Sequence, residues 1–391
     1  MSRYAIGIDL GTTHSALSWV DLQTEGMTPE ILPIAQQSGP GAVQDFALLP
    51  SFLYMPHLSE LATGDLALPW NAAPDRIIGE WARSHGALTP IRLVSSAKSW
   101  LGHAGVDRRA GILPADAPIE VERISPLAAS THYLQHLRDA WNHCHPEAPF
   151  DQQAVTVTIP ASFDPAAREL TAEAAQAAGY QGITLLEEPQ AALYSWIAGS
   201  AGDWRKQVQV GDVILVIDVG GGTSDFSLIA VTEDAGNLQL NRVAVGEHIL
   251  LGGDNMDLAL AHGVARDLAA EGKQLDPWQM RALIYACRLA KEQLLSDPDL
   301  QSVPGGRAQQ GLQTHWRLDQ DRVEARSADR PPPRWLFPGR GEQRSAREPP
   351  ACRTHADRPA LCAGCCRHTP LGRTAGPPAR RHEPTAGIRT A

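Results

Sequence analysis

The amino-acid sequence predicts a duplicated α/β fold whose second half is incomplete. Two glycine-rich turns of the same design lie at residues 8–15 and 217–225, and Asp9 and Asp218 occupy equivalent positions 209 residues apart. Each turn connects two apolar runs of strand length, so its glycines reverse the chain between strands. Strand patterns and helix start signals alternate around both turns as far as about residue 302. A repeated hairpin within such a mixed pattern indicates two related lobes.

The strands and helices follow from local patterns. Apolar or alternating runs predict strands at 4–8, 15–20, 154–159, 183–186, 213–217 and 226–231, with 183–186 as a short buried strand. Helices are predicted to begin at Pro126, Pro165 and Pro277, because each proline follows a Ser or Asp that can serve as an N-cap. The helix from Pro165 is expected to end at Gly179, since glycine tolerates the left-handed conformation of a C-cap.

Charge and composition exclude several classes of function. Residues 1–300 carry 18 basic and 36 acidic side chains, and so acidic a body is a poor partner for nucleic acid. Because no apolar run approaches the roughly 20 residues that span a bilayer, and the N-terminus has no signal core, we expect no membrane association and a cytoplasmic location. Only Cys144 and Cys287 occur in the first 300 residues, which suits a reducing compartment. We expect a monomer.

Residues 303–391 are predicted to be an Arg/Pro-rich tail, either disordered or out of frame. Residues 301–391 contain 16 Arg, 12 Pro and no Lys, and no apolar period is sustained there. This composition matches GC-rich coding DNA read in the wrong frame, so we expect the native frame to be lost near residue 303. A genuine basic tail is the competing interpretation, and resequencing the gene distinguishes the two. The cysteines at 362–368 lack a second patterned ligand pair, so no metal site is expected there.

Both turns have the composition of a phosphate and metal site. Glycine removes the side chain and lets successive backbone N–H groups approach an anion, and the neighbouring Thr hydroxyls can add to them. Asp9 and Asp218, each at a strand end, are the predicted Mg²⁺ ligands, directly or through water. Asp225 is a further acid predicted to face the phosphates, where it accepts a proton from water or holds the metal's shell. The residues predicted to bind phosphate are Gly11, Thr12, Thr13, Gly220, Gly221, Gly222 and Thr223.

The first turn alone could equally be an ordinary Gly-Thr hairpin, but the pair predicts nucleotide binding. Further motifs follow in order along the chain, namely LPS at 49–51, IGE at 78–80, AKSWLG at 97–102, IPASF at 159–163, EEPQAA at 187–192 and LGGDN at 251–255. Together with the two turns, these motifs resemble those of Hsp70 chaperones. The resemblance covers about residues 3–300. It implies the actin-like ATPase fold, with two ribonuclease-H-like lobes around a central nucleotide cleft, lobe I over 1–200 and a partial lobe II over 201–302.

The resemblance also assigns roles by position. Lys98 matches a lysine that reaches the γ-phosphate and the attacking water, and Glu188 matches an acid that orders water and metal. Gly252 and Gly253 match a turn beside the nucleotide, and Lys291 is retained in the adenosine-contacting helix 277–295. In that helix the residues that differ from the family pattern are Arg288, Glu292 and Leu295. The implied catalytic residues are Lys98, Glu188, Thr223 and Asp225. The implied ligands are ATP or ADP, Mg²⁺ and, as a further cation, K⁺.

The predicted function is that of an Hsp70-like ATP-binding protein, with Mg-dependent hydrolysis coupled to lobe motion in a chaperone cycle. Co-chaperones and unfolded clients are the partner classes that the resemblance implies. We expect impaired activity, because the sequence holds no counterpart of the family's last adenosine turn. The alternatives on the same fold are an actin-like or cell-shape filament ATPase and a sugar or acetate kinase. Asp225 and the Lys98 segment favour the chaperone family over the filament proteins, and nucleotide-dependent sedimentation would reveal a filament.

Overall fold

The computed structural model describes residues 2–300 and 303, apart from 58, 116, 201, 235, 247, 248 and 298. The predicted tail, with the predicted loss of frame, therefore lies outside the described residues except for Val303. The strands are β1 (Tyr4–Leu10), β2 (His14–Asp21), β3 (Glu30–Ile31), β4 (Ile34–Gly39), β5 (Ala42–Phe46), β6 (Leu49–Pro50), β7 (Leu53–Tyr54), β8 (Ile77–Ile78), β9 (Leu93–Val94), β10 (Ala154–Ile159), β11 (Ile183–Glu187), β12 (Val213–Val219), β13 (Ser224–Asp234) and β14 (Asn237–Val245).

The described helices alternate with these strands. They are α1 (Glu80–Gly86), α2 (Ala97–Gly102), α3 (Pro126–Cys144), α4 (Pro165–Ala177), α5 (Glu188–Gly199), α6 (Trp204–Gln207), α7 (Gly253–Ala270) and α8 (Pro277–Ser296), with short 3₁₀ turns at Pro90–Arg92 and Phe150–Gln152. Every helix in this part of the chain is too short or too polar to cross a bilayer. Both cysteines of this part are free thiols, Cys144 exposed and Cys287 buried.

A six-stranded sheet carries the first hairpin. Its order is β11-β10-β1-β2-β3, and β6 also pairs with β2. The strand β1 runs parallel to β10 and antiparallel to β2, so the predicted hairpin of the first turn is confirmed. Alternate residues of β1, such as Ile6 and Ile8, are buried in one core with Leu137 and Trp141 of α3. This packed core fixes the strand ends from which the first turn projects.

The predicted helix starts are confirmed by their capping bonds. The side chains of Ser125, Asp164 and Asp276 each accept a hydrogen bond from the backbone N–H three residues later. The helix α4 ends at Ala177 with Ala178 as its C-cap, and Gly179 follows with φ at +87°, the left-handed conformation predicted for it. The prediction for β11 is wrong in one respect. It is the edge strand and is only partly buried, with Thr184 exposed, because it pairs with β10 on one side alone.

A three-stranded antiparallel sheet, β12-β13-β14, carries the second hairpin. The helix α5 packs against β10, β11 and β12 and so connects the two sheets, while α7 and α8 pack together. Alternate residues of β12, namely Val213, Leu215, Ile217 and Val219, are 52% to 58% exposed. No described element covers this face, although the strand is apolar on both faces, as fully covered strands are.

Buried His136 makes the stability of the first core dependent on pH. Burial lowers the pKa of His136 to about 4, and its Nε2 lies 2.9 Å from the Ala35 carbonyl oxygen. The unfolded chain takes up a proton below about pH 6.5, which the folded chain does not accept until about pH 4. The stability that depends on neutral His136 is therefore complete above pH 6.5 and is lost as the pH falls toward 4.

We therefore expect His136→Gln to reduce this pH dependence. Between pH 7 and pH 5 the unmodified chain should lose about 2 kcal/mol more free energy of unfolding than the variant does. Urea unfolding at both pH values measures the difference. His57 is exposed, so His57→Gln is the matched control and should keep the original pH dependence. An unchanged pH dependence in His136→Gln would contradict the expectation.

Candidate functional site

The first hairpin is held so that its backbone carbonyls are occupied by neighbouring groups. Ser51 Oγ donates to the Gly11 carbonyl over 2.8 Å, and the Ser51 N–H donates to the Thr13 carbonyl over 2.8 Å. The carbonyl and the following N–H of a trans peptide point in opposite directions, so the Thr12 N–H points away from Ser51. A Cβ on Gly11 would lie 2.1 Å from the His14 carbonyl oxygen, which explains the glycine there.

The second hairpin is held in the same manner from the start of α7. The Gly253 N–H donates to the Gly220 carbonyl over 3.1 Å, and the Asp254 N–H donates to the Gly221 carbonyl over 2.6 Å. By the same peptide geometry, the N–H groups of Gly221 and Gly222 point away from α7. Each hairpin therefore turns its carbonyls toward a protein element and leaves its amide N–H groups on the opposite side, as an anion site requires.

The two hairpins face each other at close range. A Cβ on Gly221 would lie 2.0 Å from Thr13 Cγ2. A Cβ on Gly222 would lie 2.1 Å from Ser99 Oγ and 3.0 Å from Thr12 Cγ2. The structure thus brings together the glycines and threonines of both predicted turns, and the glycines at 221 and 222 permit that approach.

A buried ion pair lies beside the hairpins. Lys98 Nζ, on α2, is 2.5 Å from Glu188 Oε1, on α5, and the two side chains are 11% and 15% exposed. Burial lowers the pKa of Lys98, but the charge and hydrogen bond of Glu188 and the charges of Asp9 and Asp218 together outweigh burial and raise the pKa. Burial raises the pKa of Glu188, and Asp9 and Asp218 raise it further against the effect of the ion pair. Three carboxylates thus act on one ammonium group, which leaves an excess of negative charge.

This donor set fits a divalent cation that arrives with phosphate. Among the described residues, no cluster of three or more His, Cys, Asp and Glu side chains can hold a metal alone. Mg²⁺ needs no such cluster, because it takes one or two carboxylates together with phosphate oxygens and water. Thr158 Oγ1 donates to Asp9 Oδ1 over 2.9 Å and so orients that carboxylate. Ser99 Oγ is buried with no hydrogen-bond partner in the described part of the chain, and a ligand oxygen would satisfy it.

The second acid of the hairpin is placed differently from the first. Asp225 lies directly opposite Asp218 in the β12–β13 ladder. Its carboxylate is buried, and Ser162 Oγ donates to Asp225 Oδ1 over 2.5 Å. Thr223 closes the turn, since its carbonyl accepts the Gly220 N–H over 2.8 Å. Asp225 therefore connects the second hairpin to the loop after β10.

The residues predicted on α8 contact protein groups. Lys291 Nζ donates to the Gly253 carbonyl over 2.9 Å and lies 2.6 Å from Asp257 Oδ1. Among the residues that depart from the family pattern, Arg288 pairs with Asp254 and with Asp257, the latter over 2.9 Å. Glu292 lies 3.3 Å from Arg83 on α1, and Leu295 is exposed. These ion pairs connect α8 to the start of α7 and to α1.

Sequence reasoning missed four side chains that the structure places around the site. They are Ser51, Ser99, Thr158 and Asp257. The first two lie within quoted motifs, so their position in those motifs was a usable signal. Thr158 alternates with buried residues of β10 and was readable as a residue beside β1. Asp257 follows Asp254 by three residues on α7, and this spacing puts both acids on one helix face.

Comparisons with known proteins support the resemblance to Hsp70 chaperones. A family model described as Hsp70 protein matches residues 68–304. A chaperone protein HscA homolog of Burkholderia cenocepacia strain HI2424 is 30% identical over 307 residues, which cover 76% of this chain and 43% of that protein. A chaperone protein HscA homolog of Bordetella pertussis strain Tohama I is 31% identical over 332 residues, covering 81% of this chain and 46% of that protein. The chain therefore spans less than half the length of these curated relatives.

Proposed function

This chain belongs to the Hsp70 family, and from that premise we propose that its two facing hairpins bind the phosphates of ATP together with Mg²⁺. The family places the mixed α/β body in the actin-like ATPase fold, as the sequence predicted. We take lobe I as residues 1–200 and the partial lobe II as 201–302. The cleft between them is the nucleotide site.

The approach of Gly221 and Gly222 to Thr13 and Thr12 is the observation that carries this proposal. Backbone N–H groups from both hairpins then converge on one small region, where they can donate to the oxygens of adjacent phosphates. A single glycine hairpin would have no such counterpart. The observation supports phosphate recognition directly, whereas the identity of the base rests on family membership.

The charged residues have distinct roles in the proposed site. Asp9 and Asp218 are the carboxylates that would hold Mg²⁺, and K⁺ is a further cation that the family suggests. Bound Mg²⁺ neutralises phosphate charge during phosphoryl transfer. Lys98 is positively charged and directed into the same region, so it can donate to a phosphate oxygen. Glu188 orients that ammonium group through the 2.5 Å ion pair.

Hydrolysis needs a water molecule held in line with the terminal phosphate. We assign this to Lys98 and Glu188 together with Thr223 and Asp225 of the second hairpin. Within this group we assign proton acceptance to Asp225, whose carboxylate is held by Ser162. Turnover by this chain is expected to be slow, because no element among the described residues covers the exposed face of β12 in the second lobe. We further propose that the two lobes move during a chaperone cycle and that the chain acts in the cytoplasm as a monomer.

Isothermal titration calorimetry with ATP tests the proposed nucleotide binding. We expect binding in the micromolar range with Mg²⁺, and chelation of Mg²⁺ should weaken it by about 10-fold or more. In the double variant Asp9→Asn, Asp218→Asn, chelation should change the affinity little. Asp203→Asn, at an exposed ion pair with Lys206, is the matched control and should behave as the unmodified chain. Absence of ATP binding by the folded chain would refute the proposed function.

A further inference from the structure

A cluster of four charges lies behind the second hairpin, with Asp257 and Arg288 buried and Asp254 and Lys291 partly exposed. Asp257 is fully buried, and it receives Arg288 Nε over 2.9 Å and Lys291 Nζ over 2.6 Å. Arg288 also pairs with Asp254, so two acids meet two bases and the cluster is neutral. Arg288 donates a hydrogen bond to Asp257 Oδ2, and Lys291 compensates the charge of Oδ1 as an ion pair, so the buried carboxylate is not left unpaired. The arrangement joins the first turn of α7 to the middle of α8.

The two cations of this cluster also hold the glycine turn at the start of α7. Lys291 donates to the Gly253 carbonyl over 2.9 Å, while Arg288 binds the Asp254 side chain. The backbone N–H groups of Gly253 and Asp254 then donate to the Gly220 and Gly221 carbonyls. The hairpin peptides are thereby fixed with their carbonyls toward α7.

The turn also abuts the hairpin with almost no clearance. A Cβ on Gly252 would lie 2.6 Å from the Gly220 carbonyl oxygen and 2.7 Å from the Gly221 carbonyl carbon. Any shift of the start of α7 must therefore move the hairpin peptides too. Because each carbonyl and the next N–H are opposed, rotating those peptides would redirect the N–H groups of Gly221 and Gly222.

We propose that Asp257 is a positioning residue: through Arg288 and Lys291 it fixes the glycine turn that aims the second hairpin's N–H groups at phosphate. This inference rests on the proposed function and adds to it a residue that does not contact the nucleotide. It also gives Lys291 a role in holding the protein backbone. The ligand class is a polyphosphate, because backbone amide groups recognise the anion.

The test compares Asp257→Asn with Asp203→Asn, the same substitution at an exposed ion pair. Amide hydrogen exchange, followed by NMR on the full chain without ligand, reports on the turn itself. We expect the Gly253 and Asp254 amides to exchange at least about 10-fold faster in Asp257→Asn and unchanged in Asp203→Asn. Unchanged exchange in Asp257→Asn overturns the inference, whether or not the chain binds nucleotide.

Calorimetry with inorganic pyrophosphate, at a temperature where the variants remain folded, reports on the anion site. We expect Asp257→Asn to weaken pyrophosphate binding by about 10-fold or more, which a merely structural role would not do. Binding within twofold of the unmodified chain overturns the inference. Lys291→Met keeps the Arg288–Asp257 pair and decides the matter by the same criteria if Asp257→Asn does not fold. If the unmodified chain fails to bind pyrophosphate, the proposed function is refuted instead. The hydrogen-exchange result still tests the role of Asp257 in that case.

Discussion

Replacing Lys98 by alanine is expected to lower the rate of single-turnover ATP hydrolysis by about 100-fold or more. A preorganised charge in a buried site is worth far more than one in water, and removal of such a group commonly costs two to three orders of magnitude. Lys98 is the cation on which Asp9, Asp218 and Glu188 all act. Rapid mixing of labelled ATP with an excess of the chain measures this rate even when turnover is slow.

The alanine substitution also removes the partner of a buried acid, so stability and chemistry must be separated. Unpaired Glu188 is expected to cost about 3 kcal/mol or more of folding free energy. The double variant Lys98→Met, Glu188→Gln removes both charges and should recover most of that stability without recovering hydrolysis. Lys206→Ala, at an exposed ion pair, is the control and should keep the original rate. An unchanged rate in Lys98→Ala would show that this ammonium group does not act on the phosphates.

Local features of this fold were readable from the sequence because neighbouring residues determine them. The two hairpins need only alternating apolar strands and glycines between them, and the three N-caps need only a Ser or Asp before proline. Gly179 follows the end of α4 for a similarly local reason. The partial burial of β11 was missed, because an apolar composition does not reveal whether a strand lies at the edge of its sheet.

Most of the site contacts that the sequence did not predict are between residues far apart in the chain. Asp257 and Arg288 are 31 residues apart, and they meet only because α7 packs on α8. The Lys98–Glu188 pair spans 90 residues, and the sequence indicated it only through family resemblance. The exposed face of β12 was also not predictable from the sequence. Its run of apolar residues predicts cover on both sides, but cover depends on elements elsewhere in the chain.

The glycines of the second hairpin offer the sharpest steric test of the facing arrangement. Gly221→Ala and Gly222→Ala each introduce a methyl group at about 2 Å from an atom of the opposite side of the site. None of Gly220, Gly221 and Gly222 has a positive φ, so the expected effect is purely steric. Overpacking of this kind costs about 1–3 kcal/mol, and we expect ATP affinity to fall by about 30-fold.

Gly220→Ala is the matched control for that test, because the Gly220 N–H, although predicted to face phosphate, donates to the Thr223 carbonyl instead. Its Cβ would meet only the Thr223 carbonyl oxygen, at 3.6 Å, which is an ordinary contact, so its ATP affinity should stay within about threefold. A second arm adds Thr13→Ser to Gly221→Ala. The added serine lacks the Cγ2 methyl group that lies 2.0 Å from the new Cβ but keeps a hydroxyl, so much of the lost affinity should return. Calorimetry on the four variants measures both effects. Equal affinities for Gly220→Ala and Gly221→Ala would contradict the arrangement, because then the hairpins would not approach each other when ATP binds.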